Sequence, residues 1–570
     1  MVTLYDKSGM KTSSDVTSKK GEYDKRFNSM KGKAQHYIAS WKDLKNYLNP
    51  TRGLFDDSKE RGNMIDHKVI LAAHATHDIK KTASGLNSGI TSKTRPWFRL
   101  NLANDILSNI PHVRAWLDEV QHRMFLVLQG SNIYNTFQNI YEELLTFGTG
   151  CFILLEDFDK IIRTRSFTIG EYFLGIDKTG RVNSFARSFK MTVAQMIKAF
   201  GYENCSTQVQ TSWNSGLVDK EFIVRHLIEP NDTVDGEMED FKGMPWRSIY
   251  WEQSNNEVKD FLDLRGFKRF PVVAPRWSVP TTDVVYGFGP GWDALGDVKE
   301  LQKTKYDKLM AQEKLHNPPM QSDANVDGYA NLLPGGITKV SANTPNAGLQ
   351  PTYQIDPNLE SFIQIINECK DSIDKHFYTD LFTMLASMDK TNMTATEIAA
   401  REREIIMLMG PILNQLDEEM LSQVIELLYG IMNDNNLLPE PPKEIEGIEI
   451  KIQYISVLAQ MQRAVGLTSI EKVVGYAGNV SALNEESRDI INWDESIREY
   501  AKMEGSPQVI LNDQPTVRAM RESRQKLIQA QQALAAGESA AKTGKTLSET
   551  ELGKGSALDV MRESVSGKKQ

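Results

Sequence analysis

Tyr286-Gly287-Phe288-Gly289-Pro290-Gly291 opens the stretch that decides how this chain is organised. Three alternating glycines and a proline read as a hinge and a helix start. The spacing predicts a helix from about Trp292 to His316, stopped by Asn317-Pro318-Pro319, where prolines remove N–H donors and bar the preceding residue from helical geometry. About 35 residues rich in glycine (328, 335, 336, 348) and proline (334, 345, 351) follow. A second helix is expected from about Asn358 to Leu385, with Phe362, Ile366, Cys369, Ile373, Phe377 and Leu381 forming one stripe. A polar loop, Ser387 to Met393, leads to Thr394, where Glu397 three residues on completes a capping box for a third helix.

At roughly 1.5 Å per residue the first two helices span about 37 and 43 Å, and a compact connection implies that they run antiparallel. The first is very polar. Lys299, Lys303, Lys305, Lys308 and Lys314 alternate with Asp293, Asp297, Glu300, Asp307 and Glu313, leaving only a narrow stripe of Leu295, Val298, Leu301 and Leu309. Such a helix is weak as a core element of a monomer and suits an assembly whose neighbours cover its flanks, or a solvent-filled channel. Gly296 inside it costs about 1 kcal/mol relative to alanine and marks a candidate bend.

A chain of 570 residues implies several domains. Charged residues at 25% and hydrophobic ones at 40% are ordinary for a soluble protein. A net charge of −9 and a pI near 5.7 argue against a tight, non-specific DNA binder, which carries a basic face. They suit an average cytosolic protein or, on a sharper reading, a surface that lets DNA pass without gripping it. Cys151, Cys205 and Cys369 lie far apart, with neither a disulfide framework nor zinc spacing. The polar N-terminus is no signal peptide, and no apolar run is long enough to span a membrane.

In chain order, residues 1–20 read as a disordered arm. A helix carries Tyr37, Trp41, Leu44 and Leu48 and ends at Asn49-Pro50, another covers about Asp66 to Leu86, and a long helical region fills Val113 to Phe147, closed by the Gly148-Thr149-Gly150 cap signal. From Cys151 to about 285 the texture is β-rich, with strand candidates at 151–155, 167–176, 221–228, 247–251 and 270–273 and one helix at Thr192–Phe200. From Thr394 a helix continues to about Met432 with Ile405, Met409, Ile412, Leu416, Met420, Val424 and Leu428 on one face, kinked at Pro411. Ile448, Ile450, Ile452 and Tyr454 alternate with polar residues as a strand, helices cross 457–500, a last helix covers about 515–536, and 537–570 reads as a flexible tail.

No catalytic constellation emerges. Gly287, Gly289 and Gly291 miss the spacing of a dinucleotide turn by one residue. Gly544-Lys545-Thr546 imitates the end of a phosphate loop, but Ser539 stands where the earlier glycine belongs and no strand precedes it, which counts against an ATP-driven motor. His74 and His77, near His67 and Asp78, could share a helix face, but without a second ligand pair they make a weak metal signal. Asp371, Asp374 and Asp380 suit one charged face better than a nuclease site. No nucleophile–base pair is visible.

The run from Tyr286 to Gln302, ending at Asn317-Pro318-Pro319, resembles the portal, or head-to-tail connector, proteins of short-tailed bacteriophages. So do Thr394-Ala395-Thr396-Glu397-Ile398-Ala399-Ala400-Arg401-Glu402 with Gly410-Pro411-Ile412-Leu413, Leu86-Asn87-Ser88-Gly89-Ile90-Thr91 and Phe147-Gly148-Thr149-Gly150. The resemblance covers most of 20–505. It implies an α+β, mainly α fold with wing, stem, clip and crown, assembled as a ring around a central DNA channel. On that plan 21–150 is the helical part of the wing and 151–285 its β-rich part. Residues 286–316 and 357–386 are the stem helices, 317–356 the clip and 387–393 the tunnel loop. Residues 394–440 form a long wing helix, 441–514 wing and crown, and 515–536 a crown or barrel helix.

The resemblance further implies a ring, most commonly of twelve copies, at one capsid vertex of the virion, assembled in the host cytoplasm. Double-stranded DNA would pass through it, and its partners would be major capsid and scaffolding proteins, terminase, tail adaptor or tail tube and internal core proteins, with no cofactor, metal or membrane. Asp389, Lys390, Thr391 and Asn392 would meet DNA in the tunnel loop. Lys299, Lys303, Lys305, Lys308, Asp371 and Asp374 would line the stem channel or pair between subunits. Asn317, Pro318, Pro319, Gly335 and Gly336 would belong to the clip that docks terminase and adaptor. The competing classes are a tail adaptor or other ring-forming tail protein and, less favoured, a terminase or nuclease.

Overall fold

The computed structural model describes residues 13–55, 70–102, 110–232, 243–253, 261–318, 320–321, 350–351, 358–380, 409–445, 450–454, 472–480, 489–504, 512 and 514–548. The chain forms two compact units, Met1–Gln462 and Arg463–Gln570.

In the first unit, helices α1 (Ser13–Gln35), α2 (Ile38–Tyr47) and α3 (His74–Gly89) precede strand β1 (Phe98–Leu102), and α4 (Pro111–Gly130) and α5 (Ile133–Phe147) follow. The expected arm is therefore already helical from Ser13. The helix placed over 66–86 starts at His74, after an irregular stretch at 70–73. The single helical region expected over 113–147 is two helices, broken where Ser131 and Asn132 turn their oxygens onto the backbone, Ser131 Oγ accepting from Ile133 N and Asn132 Oδ1 from Thr164 N.

Helix α5 lies at the centre of the core. Its Ile133, Phe137, Ile140, Tyr141, Leu144, Leu145 and Phe147 are all fully buried. Around it pack a three-stranded antiparallel sheet, ordered β3 (Ile161–Phe167), β2 (Cys151–Asp157), β9 (Val272–Val273), and a five-stranded antiparallel sheet, ordered β4 (Tyr172–Ile176), β5 (Val182–Thr192), β6 (Glu221–Pro230), β7 (Trp246–Glu252), β8 (Asp263–Phe267). The run expected as one strand over 167–176 holds the last residue of β3, the turn at Gly170 and then β4, and β1, β5, β8 and most of β3 are additions. Helices α6 (Val193–Phe200) and α7 (Thr207–Asn214) cover a small satellite core, and α6 starts with a capping box from Thr192 to Gln195. Helix α1 lies on the large sheet through Phe27, edge-on to Phe173 and Trp251, while Asp24 accepts from Arg225 and Trp251 Nε1. All three cysteines are buried free thiols.

Glu143 of α5 is buried, accepting from Thr168 Oγ1 at 2.7 Å and from the Ile169 amide at 3.3 Å, with Arg52 at 3.8 Å. Burial pushes its carboxyl up to about 7, against the pull of Arg52 and these donors. The folded protein therefore holds this proton more tightly than the unfolded chain does. Its contribution to stability is complete below the ordinary value of 4.5 and is lost as pH rises to about 7, with a slope of at most about 1.4 kcal/mol per pH unit. Stability measured from about pH 5 to 8 is expected to carry this decline in the native chain and to lack that component in Glu143→Gln, which cannot titrate.

Helix α8 (Pro290–His316) and helix α9 (Leu359–His376) form an antiparallel pair. Asp297 near the start of α8 meets Ser372 and His376 at the end of α9, and beyond the far ends β10 (Met320–Gln321) pairs antiparallel with β11 (Gln350–Pro351). The Asn358 side chain caps α9 by accepting from the Glu360 and Ser361 amides. The helix is interrupted after His376, where Tyr378 turns left-handed (φ 57°), and helical geometry resumes at Thr379 and Asp380; the rest of the stretch expected to reach Leu385 lies outside the described residues. Gly296 sits inside an unbroken α8, and a methyl group there would touch nothing within 4 Å. Gly296→Ala is expected to raise stability by about 1 kcal/mol, read as a higher denaturation midpoint.

A further helix runs from 409 through a π-turn at Asp417–Leu421 into α10 (Ser422–Asp434). Met409, Ile412, Leu416, Met420, Val424 and Leu428 are buried as their spacing predicts, and Ile405 lies outside the described residues. Among the described residues this helix carries a π-turn that begins six residues beyond Pro411. Strand β12 (Ile450–Tyr454) pairs antiparallel with β1, register Phe98 to Tyr454. The second unit contains α11 (Trp493–Glu504) and α12 (Gln514–Ser548), joined by Arg521 bidentate on Asp494 at 2.6 and 2.7 Å. Helix α12 runs twelve residues past the expected end at 536, because alanines at 535, 536, 540 and 541 sustain it through Gly537.

Candidate functional site

The glycine run is a packing seam where backbone meets backbone. Helix α5 ends at Gly148 in the left-handed region (φ 83°), its amide donating to Leu144 O. The chain from Ser278 to Trp292 lies directly on that end. Gly287 N donates to Thr149 Oγ1 at 2.8 Å, Trp277 N to Gly148 O at 2.9 Å, Phe288 N to Ser278 O, and Trp292 Nε1 to Phe147 O. A Cβ on Gly289 would stand 2.3 Å from Leu144 O, and one on Gly291 2.4 Å from Thr146 O. The glycines read as a hinge are what permit this approach. The other nucleotide mimic, Gly544-Lys545-Thr546, lies inside α12 and forms no loop.

Arg276 anchors the seam from behind. It is buried and grips Glu419 in the π-turn through Nε, Nη2 and its own backbone N–H, the last at 2.8 Å, while Val284 O accepts from Nη1 at 3.0 Å and Gly180 O from Nη2 at 2.9 Å. Helix α8 is therefore set by the end of α5 and by the helix that carries Glu419.

Along α8 the core stops halfway. Ala294, Val298 and Leu301 are buried, and Gln302 fastens the helix to the segment before α3, accepting from the Leu71 and Ala72 amides at 2.7 and 2.8 Å and donating to Ala72 O. From Lys303 onward no residue of α8 is buried. Tyr306, Leu309 and Leu315, and Ile363 and Ile365 on α9, are 37–54% exposed.

The residues expected to line a channel divide into two groups. Lys299 pairs with Asp43 of α2 at 2.7 Å and lies over the Tyr47 ring, so it is engaged within its own chain. Lys303 pairs with Asp307 one turn on, which raises its pKa. Lys305 and Lys308 form no ion pair among the described residues, and Asp371 is exposed. Asp374, expected on a free acidic wall, turns instead to α3, with Oδ1 2.9 Å from His74 Nε2, because Ile373 and Phe377 beside it are buried and fix that face of α9 inward. Asn317 ends α8 and Pro318 follows it. Pro319, Gly335, Gly336, Asp389, Lys390, Thr391 and Asn392, and the capping box at Thr394, lie outside the described residues.

Asp78, one turn after His74 and almost wholly buried, completes a trio with Oδ2 3.3 Å from the same ring nitrogen. Burial pushes its carboxyl up to about 6; His74 opposes that rise and Asp374 adds to it. The sequence showed His74 and Asp78 at helical spacing but gave no sign of Asp374, nearly 300 residues away.

The two long helices leave their far halves uncovered beyond a close backbone seam. Residues 20–511 match the family of bacteriophage head to tail connecting proteins. The chain belongs to that family. It is 35% identical over 535 residues to the portal protein of Salmonella phage epsilon15, covering 94% of this chain and 96% of that one. It is also 35% identical over 525 residues to the probable portal protein of Bordetella phage BPP-1, covering 91% and 94%. Among the described residues no helix is long and apolar enough to cross a membrane.

Proposed function

We propose that this chain is the portal subunit of a bacteriophage head, forming a closed ring at one capsid vertex through which double-stranded DNA is packaged and ejected. The observation that carries this reading is the uncovered far half of the α8–α9 pair. Tyr306, Leu309, Leu315, Ile363 and Ile365 stand exposed among alternating charges, and a neighbour in a ring would cover them while Lys305 and Lys308 find acids across the interface or face the channel. Met520, Leu527, Ile528 and Leu534 of α12, 46–71% exposed, fit the same account for a crown.

In this reading α8 and α9 are the stem, 317–356 the clip that receives terminase and then a tail adaptor, and 387–393 the tunnel loop. Twelve copies close the ring, and capsid and scaffolding proteins surround it. The portal makes and breaks no covalent bond; it acts as an electrostatic wall and a mobile constriction. Lys390→Glu tests the tunnel loop. It is expected to change DNA retention in filled heads while rings still assemble. Loss of the ring itself would refute that separation of roles.

A further inference from the structure

His74 and Asp78 lie one turn apart at the start of α3, and Asp374 reaches them from α9. His74 Nε2, Asp78 Oδ2 and Asp374 Oδ1 all lie within 4.8 Å of one another. Each of these atoms is shielded from solvent, and none has a hydrogen-bonding partner among the described residues, although Nε2 is only 2.9 Å from one carboxylate and 3.3 Å from the other. The N–H direction of the ring satisfies neither oxygen. One ring nitrogen and two oxygens converge on a common point, as ligands around a cation do, rather than forming a donor–acceptor line. The Asp78 side chain is 3% exposed, so its unpartnered Oδ2 is aimed into the trio with no access to water. The 26 and 25% exposure of the His74 and Asp374 side chains falls on their other atoms, so the point of convergence itself is enclosed.

We propose that His74, Asp78 and Asp374 form a divalent metal site that pins α9 to α3. One imidazole and two carboxylates suit a first-row divalent ion such as Mn²⁺ or Zn²⁺ better than Ca²⁺ or Mg²⁺, which take oxygen-only shells. The role is structural. The Thr82 hydroxyl donates to Phe377 O one turn further along both helices, and Ser372 donates to Asp297, so an ion at the trio would complete a belt that fixes the base of the α8–α9 pair to the helical layer below. His77, 76% exposed and 3.8 Å from the other Asp78 oxygen, stands outside the trio and serves as a control.

The test uses the full-length, untagged protein, stripped with chelator and titrated with Mn²⁺. Bound ion is read from loss of the free-ion electron paramagnetic resonance signal, and Zn²⁺ is then added as competitor. One ion per chain is expected, displaced by Zn²⁺, with affinity at least about tenfold weaker in Asp374→Asn and in His74→Gln and unchanged in His77→Ala. The first two are near-isosteric, and their folding is checked by circular dichroism and by the assembly state. Failure of the native chain to bind, or equal binding by Asp374→Asn and His74→Gln, would overturn the site.

Discussion

Glu419→Ala is expected to destabilise the first unit by about 3–5 kcal/mol, because it strands a buried guanidinium. Arg276 is 4% exposed, and Glu419 supplies its counter-charge and accepts three of its N–H groups; two backbone carbonyls remain, which accept hydrogen bonds but carry no charge. The pair itself adds less than this figure, since two charges had to leave water to form it. Replacing both partners, Arg276→Met with Glu419→Leu, should therefore recover much of the loss, and a double-mutant cycle on the unfolding midpoint would show coupling of more than about 1 kcal/mol. A fall confined to the second unit's transition would contradict the assignment, because both residues lie within 1–462.

Gly148→Ala is expected to abolish native assembly. Alanine at a φ of 83° costs roughly 1–2 kcal/mol from backbone sterics alone. Steric contact costs more: the added Cβ would lie 2.5 Å from Gly289 N and Phe288 C and 2.6 Å from Gly287 O, all main-chain atoms without rotamers to move. Relief requires the start of α8 to lift off the end of α5, which breaks the Gly287–Thr149 and Trp292–Phe147 hydrogen bonds together. Soluble yield and ring formation should both collapse, whereas Gly296→Ala, inside α8, leaves them intact. Native rings from Gly148→Ala would show that the seam is looser than these distances imply.

The contrast between these glycines marks where sequence reading reached its end. Helical and strand periodicity identified α8, the buried stripe from Met409 to Leu428 and the strand at 450–454, because a one-sided core imposes a period that any register preserves. The glycine cap at 148 was legible for the same local reason. What was not legible was pairing across distance. Nothing in Gly287, Gly289 and Gly291 distinguishes a hinge from a seam until Gly148 is placed against them. Asp374 reads as one of several exposed acids until Ile373 and Phe377 turn that face of α9 to α3. Lys299 looked equivalent to Lys305 and Lys308, yet α2 supplies Asp43 to it and nothing comparable to the others among the described residues. The family resemblance rested on motifs and was confirmed over residues 20–511.

The central claim, that this chain closes into a ring around a channel, is tested most directly by native mass determination of the purified protein combined with electron microscopy of the same sample. A ring with an open centre and a mass near twelve copies of the 64.4 kDa chain is the predicted result. A closed particle without a central channel, or a monomer that hydrolyses ATP or cuts DNA, would contradict it.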